Sequence, residues 1–257
     1  MNNITIKFNE DWRTFRKGQE ITIPMNTLGV TYLVGPNGCG KSSILRAIRA
    51  INDTLEEQRR SDFDGCRTSK ITDVVNDLKK GIMEISGLDN YTHIYAFDAE
   101  VDDCSNFANS ATAYALVQGG GYAALRSSRG QTALVQFAKF IKRFQQDAAK
   151  FNNEGKINWR PLVIIDEVDE GLDIRMQLQW NAMIESKFCL RLADILVVSH
   201  NAACMMSKKW IHEPIAVDVI TGEQTTPAQY IKDMTGVTLS LDYSEEKSWE
   251  KQASMSK

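Results

Sequence analysis

The sequence predicts an α/β fold: a mostly parallel central sheet, an N-terminal antiparallel β part and a compact helical insertion lobe. Three observations predict it. The apolar, β-branched runs "GVTYLV" (29–34), "PLVIIDE" (161–167) and "ADILVVSH" (193–200) each stop on glycine or polar residues, as buried parallel strands do where they deliver chemistry. The glycine-rich "GPNGCGKS" (35–42) follows the first run directly. Amphipathic segments at 42–58 and from Leu134 to Phe151 stand between the runs with helical spacing.

The elements follow in order. Two short strands, about 3–8 and 20–24, flank the polar "NEDWRTFRKGQ". In the helix over 42–58, Ile44, Leu45, Ile48, Ile51 and Leu55 share one face, and Arg46, Arg49, Glu56 and Glu57 fall elsewhere. From about 60 to 125 the pattern weakens: "SDFDGCRTSK" reads as a loop, "ITDVVNDLKKGI" as a helix and "YTHIYAF" (91–97) as the one good strand. The glycine triplet of "NFANSATAYALVQGGGYAAL" marks a flexible edge, so about 58–130 reads as the insertion lobe. Leu134, Phe137, Ala138, Ile141, Phe144, Ala148 and Phe151 mark a long helix. The tail from about 243 is polar and reads as frayed, within a single domain of 1–257.

Composition narrows the function. The 257 residues are 43% apolar and 25% charged, with a formal net charge of −3. That balance argues against a surface living on non-specific nucleic-acid contacts, so nucleic acid would need a local patch, a partner or an assembled dimer. The five cysteines are dispersed without CxxC spacing and there are three histidines, so no zinc site is expected. An odd, scattered cysteine set suits a reducing cytoplasm. No signal peptide and no membrane span are expected from the apolar runs.

"GPNGCGKS" fits G-x-x-x-x-G-K-[ST] between a strand and a helix, the phosphate-loop or Walker A pattern. Gly35, Gly38 and Gly40 allow the backbone to curl, turning the N–H groups of the loop, Asn37 and Cys39 among its residues, toward an anion. The helix after it adds its positive end at Lys41, Ser42 and Ser43. Lys41 is the point charge for β and γ phosphates, and the Ser42 hydroxyl is a ligand for Mg²⁺. In "LVIIDE" four apolar residues lead to Asp166, placed to hold Mg²⁺ at a strand end, the Walker B pattern. Glu167 follows as the group to orient or deprotonate the attacking water. His200 ends the next core strand, where it reads either as a γ-phosphate sensor or as a polar strand end.

Together, "GPNGCGKSS", "LVIIDE", "GLD" (171–173) and "VVSH" resemble the ATP-binding-cassette (ABC) ATPase superfamily. The phosphate-loop wording resembles its soluble branch, the structural-maintenance-of-chromosomes (SMC), double-strand-break-repair and RecF/RecN-like proteins. The resemblance implies a P-loop NTPase fold of ABC ATPase type, ATP and Mg²⁺ as cofactors, and a head-to-tail homodimer with two ATPs sandwiched at its interface. It makes Leu172 and Asp173 the D-loop and His200 the switch histidine. It places Arg13, Phe15 and Arg16 near the nucleotide, with an exposed β-turn as the other reading. It implies a trans signature loop, for which "SSRGQ" is the candidate: Ser128, Arg129, Gly130 and Gln131, or the register shifted to Ser127. Ser128 and Gln131 also have capping-box spacing, which predicts a helix start. Arg129 stands where the family has glycine; it serves either as a charge aimed across the dimer or as a solvated side chain.

Two departures bear on function. No glutamine follows "YTHIYAF", where the family carries one; Asp98 or Glu100 stands there, either in its place or as part of a solvated acidic loop. The 87 residues from Lys41 to Ser128 leave no room for a long coiled-coil arm. Trp159 and Trp210 read as interface aromatics or as packing. The leading expectation is an ATPase acting in DNA metabolism, repair or defence with an effector such as a nuclease. An ATP-gated scaffold with little turnover and the ATPase subunit of a transporter are the alternatives.

Overall fold

The computed structural model describes residues 2–27, 29–56, 69–98, 129–153, 159–166, 193–199 and 214–236, with Ile184 and Met205 beside them. β1 (Asn2–Phe8) and β2 (Glu20–Met25) form an antiparallel pair, as expected, and β4 (Met83–Ser86) extends it on the other edge of β1. β1 alternates, burying Ile4, Ile6 and Phe8 and turning Asn3 and Lys7 outward, the period of a half-buried strand.

The second sheet has six strands in the order β5-β6-β7-β3-β8-β9. β5 (His93–Asp98), β6 (Pro161–Asp166), β7 (Asp194–Val198), β3 (Val30–Val34) and β8 (Ile215–Asp218) run parallel, and the short β9 (Gln224–Thr225) closes the edge antiparallel. β3, β6 and β7 are buried along their whole length, which explains their unbroken apolar sequence. The mostly parallel sheet and the antiparallel N-terminal part are those the sequence predicts.

One helix joins the two sheets. α1 (Lys41–Glu56) shares a core with Ile4, Ile6 and Phe8 of the first sheet and Leu162, Ile164, Leu196 and Val198 of the second. Clamped from both sides, it buries Arg46 and Ala47 as well as Ile44, Leu45 and Ile48. The sequence reading of Arg46 as off the buried face is therefore corrected: a helix between two layers has more than one inner face. α2 (Ser69–Lys79) lies alongside α1, contributing Ile71, Val74 and Val75. On the opposite face of the large sheet, α3 (Arg129–Asn153) packs Phe137, Ile141 and Phe144 against Tyr95, Phe97, Val163 and Ile165. α4 (Pro227–Thr235) adds Ile231 there; the Thr226 hydroxyl caps its start and Gly236 closes its end in the left-handed conformation.

Two strands fall inside the range assigned to the insertion lobe, so the sheets claim residues 83–86 and 93–98. β4 escaped notice because four residues with one buried apolar side chain carry too little pattern. Most of the lobe and the polar tail lie outside the described residues. Trp159 packs between Phe144 and Phe151, at centroid separations of 5.5 and 5.4 Å; Trp210 lies outside the described residues. Among the described residues, no helix is long and apolar enough to cross a membrane.

Away from the C-terminal ends of the strands, Asp194, 1% exposed, accepts from Tyr91 Oη and from Arg160 Nη2, each at 3.0 Å. Burial, and then the Asp194 charge, push the Tyr91 phenol above its ordinary range, so it stays a neutral donor. Asp194→Ala removes the acceptor of the buried Tyr91 phenol and the carboxylate partner of the part-exposed Arg160, and should cost about 2 kcal/mol. Tyr91→Phe, which removes one hydrogen bond, should cost about 1 kcal/mol. Urea denaturation of both variants checks the order.

Candidate functional site

Strand β3 ends at Val34 and the chain turns at once into the glycine loop. Gly35, Gly38 and Gly40 take φ of 138°, 78° and 103°, the conformations that let successive N–H groups point one way. The loop runs into α1 at Lys41, whose ammonium folds back to donate to the carbonyls of Gly35 and Pro36, each at 2.9 Å. Asn37 and Gly38 are exposed, Cys39 and Ser43 half-buried, and Lys41 is buried.

The two halves of the sequence pattern meet here. Ser42 Oγ donates to Asp166 Oδ1 at 3.1 Å, across 124 residues of sequence. The acid is carried there because β6 lies two strands from β3 in the sheet, with α1 crossing its α1-side face. A hydroxyl and a buried carboxylate are hard oxygen donors, the kind Mg²⁺ takes when phosphates and water complete its shell. Among the described residues no group of three or more His, Cys, Asp or Glu gathers elsewhere to compete for an ion.

A tight turn from the N-terminal sheet braces the loop. Trp12 and Phe15 exchange both backbone hydrogen bonds, at 2.9 and 2.8 Å, which forces Arg13 to φ 54°. Among the described non-glycine residues it alone has positive φ, a conformation that needs support from its surroundings. The support is a stack of Phe8, Trp12 and Phe15, with Arg13 lying over the Trp12 ring at 4.6 Å. Arg13 Nη1 then donates to Ser43 Oγ at 2.7 Å and Thr14 Oγ1 to the Cys39 carbonyl at 3.1 Å. Desolvation, then the like charge of Arg46, lower the Arg13 guanidinium from its ordinary value. Phe15 covers Gly40 so closely that a Cβ there would enter the ring. Arg16 points away from the loop and pairs with Asp11 at the surface, 3.5 Å apart.

On the loop's other flank stand Asp218, which ends β8, and Tyr230 of α4. Burial and then Asp218 raise the Tyr230 phenol, while a backbone hydrogen bond with Gly35 acts the other way. Neither residue was singled out by the sequence, since nothing in a lone strand-end acid or helix tyrosine points to the loop.

Asp98 corrects another expectation. It is neither solvated nor in an open acidic loop: it is 3% exposed and accepts from Arg46 Nε at 2.7 Å. The signal was available, for "HIYAFD" ends on an acid as "PLVIID" does. Arg129, Gly130 and Gln131 open α3, so a helix starts where the capping-box spacing put one. Glu100, Ser127, Ser128, Glu167, Leu172, Asp173 and His200 lie outside the described residues.

Gly40→Ala combines left-handed strain with a collision against Phe15 and Thr14, and should cost more than about 2 kcal/mol in urea denaturation. Gly38→Ala, with nothing within 4 Å of its added methyl, should cost about 1 kcal/mol from backbone strain alone.

A phosphate import ATP-binding protein, PstB 2, of Listeria monocytogenes serotype 4b (strain F2365) is 47% identical over 51 residues, 20% of this chain and 15% of that protein. The PstB 2 of Listeria innocua serovar 6a matches to the same extent. This chain thus spans only 15% of the length of these curated relatives. Among solved structures, cbiO1 from Clostridium perfringens, part of the ABC transporter complex cbiONQ, aligns with a TM-score of 0.42 at 15% identity over 90% of this chain and 91% of that one. A bacterial Atm1-family ABC exporter with ATP bound aligns with a TM-score of 0.43 at 15% identity, over 98% of this chain and 42% of that one. The family model described as AAA ATPase domain matches residues 9–185. That match runs from the turn that braces the phosphate loop, through the loop and α1, to beyond Asp166, and takes in more than half of the chain: this protein belongs to the AAA ATPase domain family.

Proposed function

We propose that the chain binds ATP with Mg²⁺, hydrolyses it, and does so as an ABC-type head-to-tail homodimer that drives an effector in the cytoplasm. The observation that carries the reading is the Ser42–Asp166 hydrogen bond, which brings the end of the phosphate loop and the acidic strand end to one point. Loop N–H groups and Lys41 hold the β and γ phosphates. Ser42 and Asp166 hold the ion, which when bound offsets phosphate charge. Glu167 takes a proton from the attacking water, and His200 contacts the γ-phosphate. From the partner subunit, the helix start at Ser128, Arg129, Gly130 and Gln131 closes over the nucleotide, with Arg129 supplying charge; Leu172 and Asp173 form the D-loop. Arg13 and Phe15 set the loop's outer wall.

The effector class we favour is a nuclease or other DNA-acting protein, following the SMC-like and repair-like wording of "GPNGCGKSSILRAI". A second reading, the ATPase subunit of a transporter, is favoured by the 47% identity to the phosphate import ATP-binding proteins over 51 residues. Co-fractionation of the native protein with membranes would select it.

Phosphate release separates an ATPase from an ATP-gated scaffold. Glu167→Gln should slow turnover by at least about 100-fold and accumulate an ATP-bound dimer on gel filtration. Lys41→Ala should lose nucleotide binding itself. Wild-type protein that releases no phosphate would leave the scaffold reading instead.

A further inference from the structure

Two acids stand side by side beneath α1. Asp98 closes β5 and Asp166 closes β6, and they are register partners in a parallel pair. On both strands the alternation turns them to the same face: Ile94 and Ala96, and Leu162 and Ile164, pack in the core that α1 shares. Their exposures are 3% and 1%. Opposite them on α1 stand Ser42 and Arg46, four residues apart and so on one helix face. Ser42 Oγ donates to Asp166 at 3.1 Å and Arg46 Nε to Asp98 at 2.7 Å. The result is two rungs between helix and sheet, one uncharged at its donor and one ionic.

Adjacent buried carboxylates would repel each other and would share a cation between them. The Arg46 guanidinium supplies positive charge at Asp98, and Ser42 meets Asp166 beside it. We propose that Arg46 and Asp98 are positioning residues that set how strongly the Ser42–Asp166 pair takes a divalent cation. This rests on the reading of Ser42 and Asp166 as the ion's holders.

Fixed charges give the proposal a sign. Arg46→Met removes a positive charge from beside the ion and should tighten cation binding. Asp98→Asn removes a negative charge from beside the ion and should weaken it. Each change should be on the order of tenfold, and the double variant should return to within about twofold of wild type, because it removes both charges.

The experiment titrates Mn²⁺ into the full chain holding a saturating non-hydrolysable ATP analogue, reading free Mn²⁺ by electron paramagnetic resonance. Opposite shifts in the two single variants, cancelled in the double, are the expected result. A pair that only holds the fold together would lower thermal stability in both singles and leave Mn²⁺ affinity unmoved, or shift it the same way; either result overturns the proposal. If Arg46→Met does not fold, Arg46→Lys must bind Mn²⁺ as wild type does while Asp98→Asn binds more weakly, and any other pattern overturns it. Ser42→Ala separates the two levels. Wild-type binding that Ser42→Ala leaves intact sinks the reading of the ion site and the proposal with it. Binding that Ser42→Ala weakens, without opposite shifts at Arg46 and Asp98, sinks the proposal alone.

Discussion

The hydrogen bond between Ser42 and Asp166 ties together the two features without which the site does not exist. It forms where the end of β6 meets α1, which shares one core with both sheets. Apolar side chains from β1 press on it from one side and from β6 and β7 on the other. Close packing of this kind resists small displacements, so the first turn of α1 stays against the end of β6. The glycine loop inherits its position from both neighbours, hanging from β3 at one end and from α1 at the other.

The fold was legible where sequence pattern and burial coincide. β3, β6 and β7 are buried on both faces, so their apolar runs announce them. The phosphate loop was legible because backbone curvature demands glycine at fixed spacing. Much of what escaped was fixed by tertiary contact. Arg46 looks like any surface arginine until β5 of the large sheet brings Asp98 beneath its helix. Asp98 looks like the start of a polar loop until Arg46 meets it. The resemblance puts Arg13 and Phe15 beside the nucleotide, with an exposed turn as the other reading; Thr14 was not singled out, and the contacts of all three with Ser43, Cys39 and Gly40 make them the loop's outer wall.

Charge is arranged around the loop in a graded way. Lys41 is buried, and it donates to neutral loop carbonyls that compete weakly with a phosphate. Arg13 is half-braced by an aromatic ring and by a backbone conformation it would not adopt alone. Arg46 is committed to a carboxylate. Three cations at one loop thus differ in how free they are to follow an anion, and the differences come from the elements that carry them.

The strand order has a consequence for how the chain acquires its site. β3 is the third strand in sequence, yet its two neighbours in the sheet are β7 and β8, which follow more than a hundred residues later. A chain made from its N-terminus therefore exposes the glycine loop early and closes the sheet around it late. Contacts of such long sequence separation form slowly, because loop closure must precede any gain from pairing. Until β7 and β8 flank β3, the loop has no rigid strand to hang from. Any ligand that needs that rigidity binds only the finished fold, and its binding free energy adds to the stability of the whole sheet rather than to the loop alone.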